Sequence, residues 1–393
     1  MAHEVEKDQE VASIGEKFSM VFVGLVNNLF FLMVMSSSQR IIDHFKQPGK
    51  LGLVNWSCTF CGLFAGYINT MLSTRNFSYD SRFGFNAFCM AIGLLGCALS
   101  PSFWLSCVSI LFVGFSCNFG ESVTIGYLAY IKKQTLMKFW GIGTGIAGIM
   151  GSGYTVMCLL WGINYKLSFL VLLPLVLLYY SCYFYVLRQR PQQKVPSEII
   201  SNYTDSLVSS PDDLAIQNNQ ELFEGSCSLI GKIKYYITTC DITYFAQYVI
   251  AGAFLDCAQT PERRKMKFLF PLLGLTQHVG VLIFAGSLNL FVFPYLSLLS
   301  FLQIVNFFIW MSQAMRHWMP LWSEFVFVFL VGSVGGLSYV NTYYLILKDN
   351  KLSKKEQEIG SNLTAFSVTI SVLISSCFTY ISEETYLKPY VPV

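Results

Sequence analysis

Long apolar runs separated by short polar breaks dominate the chain. Each run is about 20 residues, the length at which an α-helix crosses the hydrocarbon layer of a bilayer. Eleven spans are predicted, at roughly 18–39, 51–73, 83–100, 103–131, 139–163 and 167–187, then 235–256, 268–286, 290–312, 321–347 and 359–381. The one long polar interruption, 188–234, holds Pro191, Pro196, Pro211, several Ser and Asn, and the pair Asp212-Asp213. It has too little apolar surface to fold alone, so a flexible linker is predicted there. The pattern predicts an all-α polytopic membrane protein with a six-helix bundle at 18–187 and a five-helix bundle at 235–381, flanked by tails 1–17 and 382–393.

Composition agrees with this reading. Of 393 residues, 54% are hydrophobic and 12% charged, against about 25% charged in a soluble domain. A net charge of +3 is too small to point to nucleic acid. Twelve cysteines do not make a disulfide framework, because all but Cys227 and Cys257 fall inside predicted spans. Cys58 and Cys61 form a lone Cys-x-x-Cys with no second pair to complete a zinc site, so they read as small packing residues and no metal or cofactor is expected. Residues 1–17 carry charges of both signs and lack a signal-peptide pattern, so the first span is expected to remain as an anchor.

Orientation follows from the basic residues between spans. With tail 1–17 in the cytosol, sixteen Lys and Arg lie on the cytosolic side and ten on the other. The linker is then cytosolic and tail 382–393 is on the far side, with the cluster Arg263-Arg264-Lys265-Met266-Lys267 as the main contrary feature. Of four glycosylation sequons, Asn55 and Asn362 fall in spans, while Asn76 and Asn202 fall in loops expected to be cytosolic. Six spans, a central linker and five spans suit a two-bundle transporter of the major facilitator type, whose halves rock about a midplane site. The turn Asp80-Ser81-Arg82-Phe83-Gly84 resembles the Asp-x-Arg-x-Gly turn of those proteins.

Ionisable residues inside the spans are few: Glu121, Asp241 and His278, with Glu324 near the start of the tenth. A charge at a helix centre costs about 2.5–3.5 kcal/mol on insertion scales, so each is a functional candidate. Glu121 reads either as a proton or cationic-substrate site in a water-filled cavity, or as a neutral carboxyl bonding between helices. His278 reads either as a group titrating between neutral and acidic pH or as a structural histidine. Asp241 lies near a helix end, which weakens its case. Asn27, Asn28, Asn118, Gln277, Gln303, Asn306 and Asn341, with Tyr127, Tyr339 and Tyr343, offer uncharged hydrogen bonds to a cavity or to neighbouring helices. In the fifth span Gly141, Gly145, Gly148 and Gly151 recur at helical spacing and predict a close-packing face. A phosphate loop is excluded, since no Gly-Lys-Ser/Thr follows a strand. No His-Glu-x-x-His and no paired intramembrane aspartates are present, so an enzyme is not expected.

Five ordered stretches resemble the battenin family of lysosomal and vacuolar membrane proteins. They are Gly24-Leu25-Val26-Asn27-Asn28, Phe119-Gly120-Glu121, Trp140-Gly141-Ile142-Gly143-Thr144-Gly145-Ile146-Ala147-Gly148, Tyr244-Phe245-Ala246 and Gly335-Gly336-Leu337-Ser338-Tyr339-Val340-Asn341-Thr342. The resemblance implies a major-facilitator-like fold and a multi-pass protein of the lysosomal or late-endosomal membrane. It also implies roles in lumenal pH, basic amino-acid (arginine) balance and glycerophosphodiester clearance. The sequence departs from the family at Gln247, Asp256 and Val331, where family members carry Glu, which shifts weight onto Glu121. Prenylation is not expected from the final Pro389-Tyr390-Val391-Pro392-Val393, and Glu198-Ile199-Ile200 in the linker has the wrong spacing for a dileucine sorting signal. The leading expectation is a transporter of a small polar metabolite, proton-coupled through Glu121. The alternative is a non-transporting membrane organiser whose cytosolic linker recruits trafficking proteins.

Overall fold

The computed structural model describes residues 12–75, 77–131, 136–188, 211–289 and 291–388, and every regular element among them is a helix. The first half runs α1 (Ile14–Ser36), a short α2 (Ser38–His44), α3 (Leu51–Phe60), α4 (Gly62–Thr74), α5 (Tyr79–Leu99), α6 (Phe103–Tyr130) and α7 (Leu136–Leu160). It closes with α8 (Tyr165–Leu170) and α9 (Leu173–Ser181), the latter continued by a π-helical turn to Leu187. The second half holds α10 (Pro211–Val249), continued through a π-helical turn to Cys257, then α11 (Leu269–Ala285), α12 (Leu296–Arg316), α13 (Leu321–Lys348) and α14 (Lys354–Glu384). Nine of the described helical runs are long and apolar enough to cross a membrane. The other two expected spans correspond to the 17-residue α11 and the apolar end of α10.

Polar residues start the helices where the pattern breaks. Ser13 and Glu16 close a reciprocal capping box on α1, Ser353 and Glu356 do the same on α14, and the Ser78 hydroxyl caps α5. Each box satisfies two amides that the first turn leaves without partners.

The expected linker 188–234 is shorter than its composition implied. Residues 189–210 lie outside the described residues, but from Pro211 the chain is helical and runs unbroken into the membrane. Pro211 opens the helix without sacrificing a hydrogen bond. No further proline interrupts the run, so its polarity alone does not end the helix. The tails shift similarly. Helix α1 begins within 1–17 and α14 ends within 382–393, whose last described residue is Lys388. Asn55 lies in α3, while Asn76 and Asn202 are outside the described residues.

The two halves repeat one packing scheme. In the first, α1 packs on α7, α3 and α4 pack on α6, and α5 packs on α6; in the second, α10 packs on α14, α11 on α13, and α12 on α13. Spans one-five, two-four and three-four thus recur as seven-eleven, eight-ten and nine-ten, the arrangement of a parallel internal repeat. The seam between halves consists mainly of α3 against α14 and α7 against α11. Those two pairs are also exchanged by the repeat. Among the described residues, the α8–α9 span has no counterpart in the second half.

Helices α1 and α7 form the most extensive pair, and glycine sets their separation. A Cβ on Gly24 would strike the Trp140 carbonyl, one on Gly143 would strike the Val21 carbonyl and the Leu25 amide, and one on Gly151 would lie 2.9 Å from the Met33 amide. The packing stripe is therefore Gly143, Ala147 and Gly151. The expected stripe began two residues earlier, but a Cβ on Gly141 meets nothing within 4 Å. Gly145 and Gly148 face α11 instead, since a Cβ on Gly148 would lie 2.7 Å from the His278 ring and one on Gly145 would lie 3.2 Å from Leu282. Small residues occupy several faces of α7, so four-residue spacing alone did not choose among them. Gly143→Val should cost at least about 1–3 kcal/mol through overpacking, whereas Gly141→Val should be nearly neutral. Melting of the two detergent-solubilised variants, followed by size-exclusion fluorescence, checks the contrast.

Candidate functional site

The neighbours of Glu121 are fixed first, because they decide which way the carboxylate points. Asn27, 1% exposed, donates from Nδ2 to the Cys117 carbonyl at 2.7 Å and accepts at Oδ1 from Asn86 Nδ2 at 3.2 Å. Asn86 also donates to the Tyr179 hydroxyl at 3.0 Å. Asn28 donates to the Gly24 carbonyl and to the Thr144 hydroxyl, each at 3.2 Å. Its Oδ1 accepts from Cys117 Sγ at 3.3 Å. The bare Cα of Gly120 seats α6 against Asn27 and Asn86, since a Cβ there would meet both side chains. These bonds hold the inner face of α6 to α1 and α5.

Glu121, one residue on and therefore about 100° around the helix, faces the second half. It remains partly exposed although it lies deep within a 28-residue helix. Its carboxylate is within electrostatic range of the Tyr339 and Tyr343 hydroxyls on α13. Those rings are 4.6 Å apart, and Tyr244 on α10 is 5.8 Å from Tyr339 and 6.2 Å from Tyr248. Tyr339 is 40% exposed in mid-helix while facing the other half, so an open cleft separates the two walls. One wall bears a carboxylate and the other bears four tyrosines.

The remaining sequence candidates do not converge on this point. Asn118 donates to the Gly114 carbonyl at 3.1 Å and lies over Gly62, where α4 departs from α3. Asn341, fully buried, accepts from the Phe293 amide at 2.7 Å and donates to the Leu337 carbonyl at 2.8 Å, which anchors the loop before α12. Asp241 accepts from the Ser367 hydroxyl, and its carbonyl accepts from Ser371 at 2.8 Å, so it fastens α10 to α14. His278 sits in the seam. Its Nδ1 is 3.0 Å from Ser152 Oγ, which is 2.7 Å from Ser36 Oγ. It also lines a cavity of about 70 Å³ with Asn55, Gln247, Tyr248 and Gln277, room for a few waters rather than a metabolite.

Two arrangements were not anticipated. Arg82, 5% exposed, donates to Asn69 Oδ1 at 3.2 Å and stacks over the Tyr79 ring at 3.9 Å. Asn69 in turn donates to Ser122 at 2.9 Å, so this buried cation braces the turn that carries Glu121. Its neighbour Asp80 pairs with Arg188 at 2.5 Å and accepts from the Tyr183 hydroxyl at 2.7 Å. The Asp-x-Arg turn was the available signal.

The second arrangement ties the halves together at the end that carries α2. Gln39 donates to Asp256 Oδ1 at 2.7 Å, and Arg264 reaches both Asp256 at 2.9 Å and Asp43 at 3.2 Å. Glu383 accepts from the Gly52 amide at 3.3 Å, at the start of α3. Each of these links except the Arg264–Asp256 pair crosses between halves. Nearby, Arg263 pairs with Glu324 at 2.5 Å, and Glu324 also accepts from Gln313 at 2.7 Å. The basic cluster that opposed the orientation count thus has two members engaged by acids.

Comparison with known proteins agrees with the helix arrangement. The solved structure of a D-xylose–proton symporter superposes with a TM-score of 0.67 at 10% identity, covering 95% of this chain and 91% of that one. The nucleoside transporter NupG superposes with a TM-score of 0.65 at 13% identity, covering 94% and 92%. At such identities the likeness shows the fold, which is that of the major facilitators. Battenin of Dictyostelium discoideum is 27% identical over 411 residues, covering 95% of each chain. Battenin of Canis lupus familiaris is 22% identical, covering 90% of this chain and 87% of the relative. Residues 18–388 match the family model described as CLN3 protein, and this multi-pass membrane chain therefore belongs to the CLN3 protein family.

Proposed function

We propose that the protein transports a small polar metabolite across the lysosomal or late-endosomal membrane by alternating access, with Glu121 as the acid that carries a proton or meets a cationic group. The observation that carries this reading is the cleft itself. Glu121 stands on one half, opposite Tyr339 and Tyr343 on the other, while hydrogen bonds join the halves at the α2 end. A carboxylate facing aromatic rings suits an amine or guanidinium, because the ring faces attract cations that the acid neutralises. That chemistry favours the basic amino-acid side of the family's implied roles over the glycerophosphodiester side. The family name supports the lysosomal location, and the symporter fold supports coupling to protons.

Purified protein in proteoliposomes, given an imposed pH gradient and labelled arginine, lysine or a neutral sugar, should move the cationic solutes and leave the sugar behind. No flux of any solute under either direction of gradient sinks the transporter reading.

A further inference from the structure

A second cavity, distinct from the cleft, opens at the α2 end and has a volume of about 350 Å³, within the range of small-molecule sites. Its walls come from both halves. Arg40, His44 and Tyr165 belong to the first, while Lys267 and Pro271, just before and within α11, belong to the second. Arg40 donates to the Ile163 carbonyl and lies 6.0 Å over the Tyr165 ring, and His44 stacks on the same ring at 4.2 Å and 16°. Tyr165 is thus a rigid platform that holds two nitrogen-bearing side chains at the cavity wall.

The charge on these walls is unbalanced. Neither Arg40 nor Lys267 forms an ion pair with a described carboxylate, and the one acid on the wall, Asp43, is engaged by Arg264 at 3.2 Å. His44, outside the spans, reports the resulting field. Partial burial first, and then the positive charges of Lys166 and Arg40, hold its imidazole below the ordinary value. At neutral pH it offers a ring N–H rather than another charge. A guanidinium fork, an ammonium and an imidazole around one cavity match the oxygen atoms of a phosphate, for which Arg supplies paired donors and Lys a point charge. The cavity also lies at a membrane end, within reach of both lipid headgroups and soluble anions.

We propose that this cavity binds a phosphate-bearing anion, either an anionic phospholipid headgroup or a soluble phosphate ester, clamped between Arg40 of the first half and Lys267 of the second. Because the clamp spans the seam, an occupied site adds a bridge between halves and favours closure of the α2 end. The site is independent of Glu121 and of the transported solute.

The test compares the full-length protein in nanodiscs of phosphatidylcholine alone, of phosphatidylcholine with phosphatidylglycerol, and of phosphatidylcholine with added glycerol 3-phosphate. At least one anion should raise the melting temperature by several degrees. Stabilisation by phosphatidylglycerol alone assigns a lipid headgroup, and stabilisation by glycerol 3-phosphate in neutral lipid assigns a soluble ester; either supports the site. Lys267→Ala removes an exposed side chain with no described ion pair, so it should fold, yet it should need about tenfold more anion for the same shift. Arg40→Lys keeps the charge and loses the fork, and should also weaken the response. No stabilisation by either anion, or an undiminished shift in both variants, overturns the proposal.

Discussion

Glu121→Gln should reduce proton-driven flux by about a hundredfold or more, the scale on which a positioned proton-transfer group acts, and leave the amount of folded protein nearly unchanged. The second half of that expectation follows from geometry. Glu121 forms no hydrogen bond with another described residue, whereas the polar groups around it, Asn27, Asn28, Asn86 and Asn69, each hold two helices together. An isosteric amide at an unbonded, partly exposed position changes stability by only about 0.5 kcal/mol. Gln also cannot lose a proton, so any step that needs the carboxylate stops. Solute exchange without a pH gradient separates the two roles of the acid. If Glu121 only carries protons, exchange survives in the variant while driven accumulation fails. If it also binds a cationic solute, both fail together. Loss of folded protein with normal turnover per molecule would instead make Glu121 a packing residue.

The legible part of this molecule is what the membrane imposes locally. Apolar length placed the spans, and the rarity of intramembrane charge singled out Glu121, which the fold puts at the cleft. The rest depends on partners far apart in sequence. Nothing local distinguishes Gly143 from Gly141; only the course of α1 makes one a contact and leaves the other open. Arg263 and Arg264 read as a cluster of positive charge because Glu324, Asp43 and Asp256 come from three different elements. Asp241 and Asn341 were reasonable candidates by the same argument as Glu121, and were absorbed by hydrogen bonds across α10–α14 and to the loop before α12. Polarity at 211–234 suggested a linker, while the absence of helix breakers was the feature that decided its structure.

The largest structural effect is expected from Arg264→Ala. Asp256 is fully buried, and its charged partner is Arg264, whose side chain is itself only 15% exposed. Removing one member of a buried pair leaves an uncompensated charge and typically costs about 3–5 kcal/mol. Gln39 alone does not neutralise Asp256, and Asp43 loses its cross-half partner in the same substitution. Under the proposed alternating access, however, the charge has an escape that a rigid fold lacks. Opening the α2 end lets water reach Asp256, so most of the cost should appear as a shift from closed to open of about two to three powers of ten rather than as unfolding. Cys257, adjacent to Asp256 and fully buried, is placed to report it. A membrane-impermeant maleimide should label Cys257 slowly in the wild type and rapidly in Arg264→Ala, with the signal lost in a Cys257→Ser background. Adding Asp256→Asn should slow the labelling again, because the charge that drives the opening is then gone. Labelling that stays slow in Arg264→Ala, or that stays fast after the Asn is added, means that the ion pair does not govern closure at this end.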